Sequence, residues 1–166
     1  MPDILQLKEF FVTRLHVDWH GSNNALPQKP KVAEPVAFDY DVLRKEETPH
    51  SFVLRLRMKA DLDASKSTAR YEIDSEIMGF FDFPETMDEK QIQALIRVNG
   101  GIILYGILRG EIAAFTGSFP GGKIVLPAVY MQDIVAGIEE RKRAAQTKEK
   151  QRPLKRKLGV VKKSST

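Results

Sequence analysis

The run Gly117-x-x-x-x-Gly122-Lys123 has the spacing of a phosphate-binding loop, in which main-chain N–H groups cradle phosphate oxygens and a following Ser or Thr holds magnesium. Ile124 stands at that last position. The run also follows a helical pattern and leads into Ile-Val-Leu-Pro, whereas the motif needs a strand before it and a helix after it. Nucleotide binding is not expected. His16 and His20 fall on one side of an alternating stretch, but four strand residues span about 13 Å, too far for the two rings to share a metal ion. Asp39 and Asp41, about 6.6 Å apart in the same geometry, read as a solvated strand face. The chain has no Cys, which excludes thiolate chemistry, disulfides and Cys-based metal sites. No Ser stands in a nucleophile pattern. These residues predict neither an enzyme nor a cofactor.

What the residue types do offer is apolar surface in places that are hard to bury. Phe80, Phe81 and Phe83 crowd the end of an alternating run, where alternation forces at least one ring to the outer face. Phe119, Leu126 and Tyr130 flank a loop rich in Pro and Gly. Such rings either close a core or line a groove for apolar, extended segments of another chain.

The elements that position them follow from periodicity. Residues 5–19 place Leu5, Leu7, Phe11, Leu15, Val17 and Trp19 at odd positions against mostly polar even ones, the period of a half-buried strand. Residues 21–35 hold three Pro and a Gly and predict a long loop. Three further strands alternate: Val36, Phe38, Tyr40 and Val42; then Phe52, Leu54, Leu56 and Met58; then Ala69, Tyr71, Ile73, Ile77, Phe81 and Phe83. Their short linkers, KEETP and DLDASKST, predict an antiparallel meander. One sheet face is then apolar and needs cover. Thr86 and Glu89 stand at capping-box spacing, predicting a helix that ends or bends at Asn99-Gly100-Gly101. Residues 101–116 are apolar nearly all round, which predicts burial on more than one side and a subunit contact, with Gly106 and Gly110 letting a second helix come close. A last amphipathic helix carries Tyr130, Ile134 and Ile138. The fold class is α+β: a four-stranded antiparallel sheet with a long loop after strand 1, covered by two C-terminal helices.

Of the 166 residues, 42% are apolar, enough for one domain with its own core. The net charge of +4 hides a division: residues 141–166 hold eleven Lys or Arg and one acid, while residues 1–140 hold fifteen bases and twenty-one acids. An acidic body, 1–140, carries a basic tail, 141–166, expected to be disordered and open to acidic partners such as RNA. The longest apolar stretch, Gly100 to Leu108, stops far short of a bilayer span of roughly 20 residues, and no signal-peptide pattern opens the chain. A cytoplasmic protein with no membrane insertion is expected.

The later motifs resemble the SecB-like protein-export chaperones. Ile103-Leu104-Tyr105-Gly106-Ile107-Leu108-Arg109 answers that family's N-I-L-F-P-Y-x-R-E, Gly117-Ser118-Phe119-Pro120 its G-x-F-P, and Leu126-Pro127-Ala128-Val129-Tyr130 its L-x-P-V-N-F. Gly79-Phe80-Phe81 is similar to its G-I-F. The sequence departs at Gly106 (Pro in the family), at Gly110 (Glu), at Tyr130 (Phe) and in a gap one residue longer after Pro120. The resemblance implies the fold class just derived and an ATP-independent holding chaperone, a homotetramer built as a dimer of dimers. Its clients would be unfolded preproteins or, as in toxin–antitoxin members, an antitoxin. It implies client grooves lined by Trp19, Phe80, Phe81, Phe83, Phe119, Leu126, Tyr130 and Met131, with residues 21–35 as one wall. Asp18 and Asp74 match positions that dock the export motor SecA, while Arg14 and Glu72 depart from that surface. A different reading is a non-enzymatic adaptor that contacts RNA or ribosomes through the basic tail.

Overall fold

The computed structural model describes residues 4–20, 36–44, 48–63, 70–119 and 122–160. Residues 21–35, assigned above to a loop and groove wall, lie outside them. Four strands, β1 (Gln6–His20), β2 (Val36–Arg44), β3 (Ser51–Asp63) and β4 (Arg70–Asp82), form one antiparallel sheet in the order β1-β4-β3-β2. The expected meander of β2, β3 and β4 is present, and β1 adds to the free side of β4. β1 and β2 are therefore the two edges.

Alternation places Phe38 and Tyr40 of β2, Phe52, Leu54, Leu56 and Met58 of β3, and Tyr71, Ile73, Ile77 and Phe81 of β4 on one buried face. β1 departs from the simple alternation. One-residue register shifts fall between Leu7 and Glu9 and between Val12 and Arg14, so Lys8 and Thr13 are extra residues against β4. Each bulge flips the faces. Phe11, expected on the core side, pairs in register with Met78 on the open face, where its ring meets Phe80 edge-on at 6.0 Å. Phe10 and Val12 take its place on the core side, and Phe10 keeps 42% of its surface exposed.

The cover is one continuous helical segment: α1 (Glu89–Leu95), a π-turn (Ile96–Gly100) and α2 (Gly101–Thr116). The N-cap is Asp88, not Thr86. Its side chain accepts from Gln91 N at 2.9 Å while Gln91 Oε1 accepts from Asp88 N, a complete capping box. Of the end or bend expected at Asn99-Gly100-Gly101, the end is absent, since both glycines hold right-handed helical dihedrals, and the irregularity at that place is the π-turn. They serve close approach instead: a Cβ on Gly100 would lie 3.2 Å from Leu54, and one on Gly101 3.1 Å from Met131. The π-turn has a packing reason. At ~100° per residue a straight α-helix would rotate Leu104 about 80° away from Ile96, whereas the wider turn returns both, with Ile92, Leu108 and Ile112, to the buried side.

By length and composition the 28-residue segment Glu89–Thr116 could cross a membrane; here one side of it is buried, and α2 packs on β3 and β4. The packing is tight at Gly79, where a Cβ would meet Leu104 at 2.7 Å and the Phe81 ring at 2.8 Å. Both neighbours are fully buried. Gly79→Ala is expected to cost about 1–3 kcal/mol of stability, read by urea unfolding.

The chain divides into two compact units, residues 1–131 and 132–166. Among the described residues the second holds α3 (Met131–Val160) beyond its first residue. The tail expected to be disordered from residue 141 is thus helical as far as Val160. Its Ala, Lys, Arg, Gln and Glu are strong helix formers, against which Pro153 and Gly159 are the two residues of that stretch with low helix preference.

Candidate client-binding surface

The connection from α2 to α3 is pinned by side chains reaching its backbone. Thr116 Oγ1, buried, donates to Ile112 O at 2.7 Å and accepts from Ile124 N at 2.9 Å. Tyr105 Oη donates to Pro127 O at 2.6 Å, and its ring meets Phe38 edge-on. Tyr71 Oη donates to Gly122 O at 2.9 Å, and Gly122 has φ 85°, a conformation that favours glycine. Anchored this way, Ile124 and Leu126 point into the core and Val125 points out. Thr116→Val leaves the buried Ile124 N–H unpaired, with an expected loss of about 1–3 kcal/mol in denaturant melts.

The anchored connection builds an aromatic chain. Trp19, the last apolar residue of β1, stands in register with Tyr71; the Tyr71 ring lies 6.2 Å from Phe119, and Phe119 lies 5.4 Å from Phe115 near the end of α2. Tyr71 is buried, Trp19 and Phe119 are half-buried and Phe115 is 47% exposed. Trp19 Nε1 is buried and has no hydrogen-bond partner among the described residues. Burial raises the Tyr71 hydroxyl above its ordinary pKa, so this wall stays uncharged at neutral pH.

The eight residues named for the client grooves are divided by the fold. Phe81, Phe83, Leu126 and Met131 are buried in the core, where Phe83 packs edge-on against Phe52 at 5.8 Å. Phe80 lies on the opposite face with Phe11, beside a cavity of about 270 Å³ rimmed by Lys8, Glu9, Thr48, Ser51 and Asp82. Only Trp19 and Phe119 share the aromatic chain. Tyr130 is separately exposed, at 84%. Phe115 and Tyr71 are missing from the sequence-level set; the i, i+4 spacing of Phe115 and Phe119 was their signal.

The open face carries ion pairs. Asp74 meets Arg14 Nη1 and Lys59 Nζ, each at 3.2 Å. Burial pushes its carboxyl up, but hydrogen bonds and charge from Lys59 and Arg14 outweigh this and hold it below the ordinary carboxylate value. Arg57 Nη2 reaches Asp39 at 2.6 Å and Asp41 at 2.8 Å. Asp18 bonds His16 Nε2 at 2.8 Å. Asp18 and Asp74 thus have partners within this face. Gly106 and Gly110 face outward on α2 with nothing within 4 Å of an added Cβ, next to the exposed Ile102.

This architecture, an edge-extended antiparallel sheet under a helix and its anchored connection, is the SecB-like fold. No protein-family profile matches the chain. It is similar in structure to the Mycobacterium tuberculosis SecB-like chaperone Rv1957, solved in complex with a ChAD peptide from the HigA1 antitoxin: TM-score 0.59 and 18% identity over 75% of this chain and 90% of that one. In sequence it is 24% identical over 118 residues to the uncharacterised protein MJ0357 of Methanocaldococcus jannaschii, covering 70% of this chain and 76% of that protein.

Proposed function

We propose that this protein is an ATP-independent holding chaperone that binds unfolded or aggregation-prone polypeptides. The observation that carries the reading is the partly exposed aromatic chain Trp19–Tyr71–Phe119–Phe115, in which Tyr71, Phe119 and Phe115 are in successive ring contact and Trp19 is the register partner of Tyr71. Apolar burial contributes about 25 cal/mol per Å², and a surface with few polar groups to match has weak sequence preference. The peptide carried by the mycobacterial neighbour supports a polypeptide client of the antitoxin kind over an exported precursor. Asp18 and Asp74, already partnered on the open face, give no separate support to SecA docking.

The working unit in this reading is a cytoplasmic homotetramer. β1 is a 15-residue edge strand whose core side is only half covered, and α2 turns Ile102, Gly106 and Gly110 outward. Such an edge and such a face are commonly covered by another chain. The test of function is aggregation of a chemically unfolded protein followed by light scattering. A stoichiometric excess of this chain should suppress it equally with and without ATP; absence of suppression, or suppression only with ATP, contradicts the proposal.

A second reading rests on the charge division. Eleven bases against one acid in residues 141–166 suit an RNA partner. Deleting residues 141–166 is expected to leave holding intact and to abolish any RNA binding. That binding should weaken log-linearly with salt, its slope falling by roughly one for each phosphate-contacting base removed. Loss of holding on deletion would place the tail inside the client site.

A further inference from the structure

We propose that Asp18, His20 and Glu72 form a binding site for a divalent transition-metal ion of the zinc class on the open face of the sheet. β1 carries His16, Asp18 and His20 at alternate positions, which puts all three on that face. The two histidines alone are too far apart to share an ion, but the residue between them and the neighbouring strand complete a set. Glu72 of β4 is the register partner of Asp18. One ligand atom from each of Asp18, His20 and Glu72 lies within 4.8 Å of the other two, and His20 Nε2 is 3.9 Å from Glu72 Oε1. Ligands about 2.0–2.2 Å from a tetrahedral ion stand roughly 3.3–3.6 Å apart, so rotation of exposed side chains closes the set.

The sheet register supplies an independent reason for a cation here. Glu72 stands directly opposite Asp18 in that register, acid facing acid. The next row along the same face holds a base, Lys59, beside Asp74 and His16. Like charges directly opposite one another destabilise a sheet, and a bound divalent ion reverses that sign. One imidazole with two carboxylates suits zinc, cobalt or manganese better than calcium or magnesium, which take oxygen alone. His16 Nε2, 2.8 Å from Asp18 Oδ2, hydrogen-bonds that carboxylate, as groups outside the ligand set of metal centres do. Water fills the remaining positions at so open a site.

The test is calorimetric titration of the full, untagged chain with Zn²⁺, repeated with Co²⁺ read by visible absorption. One ion per chain is expected at micromolar affinity. His20→Ala and Glu72→Gln should each weaken it at least tenfold, while Asp74→Asn and His50→Ala leave it unchanged. Zn²⁺ should raise the melting temperature of the parent and not that of His20→Ala. These side chains are exposed or half-buried, so the variants are expected to fold, which circular dichroism checks. No saturable one-to-one binding, or equal affinity in the parent and in His20→Ala, overturns the site. Neither result bears on client holding, whose residues lie on the other face.

Discussion

Serine at both Phe115 and Phe119 is expected to weaken capture of an unfolded polypeptide by about 30- to 150-fold while the chain stays folded. Full burial of a Phe side chain is worth about 1.5–3 kcal/mol. Both rings are already partly covered in the free chain, so covering what is left contributes about 2–3 kcal/mol for the pair, which converts to that loss of affinity. Phe115 is half exposed and Phe119 packs mainly on Tyr71 and Phe115, so their loss leaves the sheet-and-helix core intact. Binding of a fluorescent, permanently unfolded polypeptide, followed by anisotropy, measures the effect. Phe11→Ser is the control, because β1's bulges place that ring on the open face with Phe80. Affinity lost in Phe11→Ser and kept in the double variant would move the client to the opposite side of the sheet.

Gly106→Leu or Gly110→Leu is expected to reduce a four-chain assembly to smaller species without lowering the stability of the single chain. Among the described residues, and apart from the helix's own backbone, nothing lies within 4 Å of a Cβ at either position, so the monomer accommodates the side chain. In a helix interior Gly is about 1 kcal/mol less favourable than Ala, and Leu ranks close to Ala, so the substitution should raise intrinsic helix stability. A helix of another chain seated over the two glycines would meet the new side chain and be driven off. Light scattering coupled to size exclusion gives the mass, and thermal melting of the same sample gives the stability. An unchanged mass of four chains would remove the glycines from the contact; a monomeric parent would remove the tetramer.

The sheet was legible because β2, β3 and β4 alternate without interruption, and a period of two leaves no choice of face. β1 was legible as a strand but not in its facing. Two single-residue bulges shift its register, and the outward signal was the run Phe10-Phe11-Val12, three consecutive apolar residues that strict alternation cannot place. The helix start was read two residues early: Thr86-x-x-Glu89 has the spacing, but the capping box closes on Asp88 and Gln91. Gly100 and Gly101 carried a double meaning, as a helix stop or as room for a neighbouring side chain, and contact with Leu54 and Met131 decides for the second.

The aromatic surface was legible in composition and not in membership. Alternation correctly forces one ring of Phe80, Phe81 and Phe83 outward, but whether a ring lines a groove or fills a core depends on which helix lies over it. Leu126 and Met131 went to the core because Thr116 and Tyr105 tie their segment down through hydrogen bonds of long sequence separation. Such bonds leave no periodic trace in the chain.

The chain has a single tryptophan, Trp19, and it stands beside the proposed surface, half-buried and with its indole N–H unpartnered. Its emission therefore reports on that surface alone. Titrating a tryptophan-free, permanently unfolded polypeptide into the protein should shift Trp19 emission to shorter wavelength, saturably and at the concentrations that suppress aggregation. Suppression of aggregation with no change in Trp19 emission would place client binding elsewhere and contradict the account.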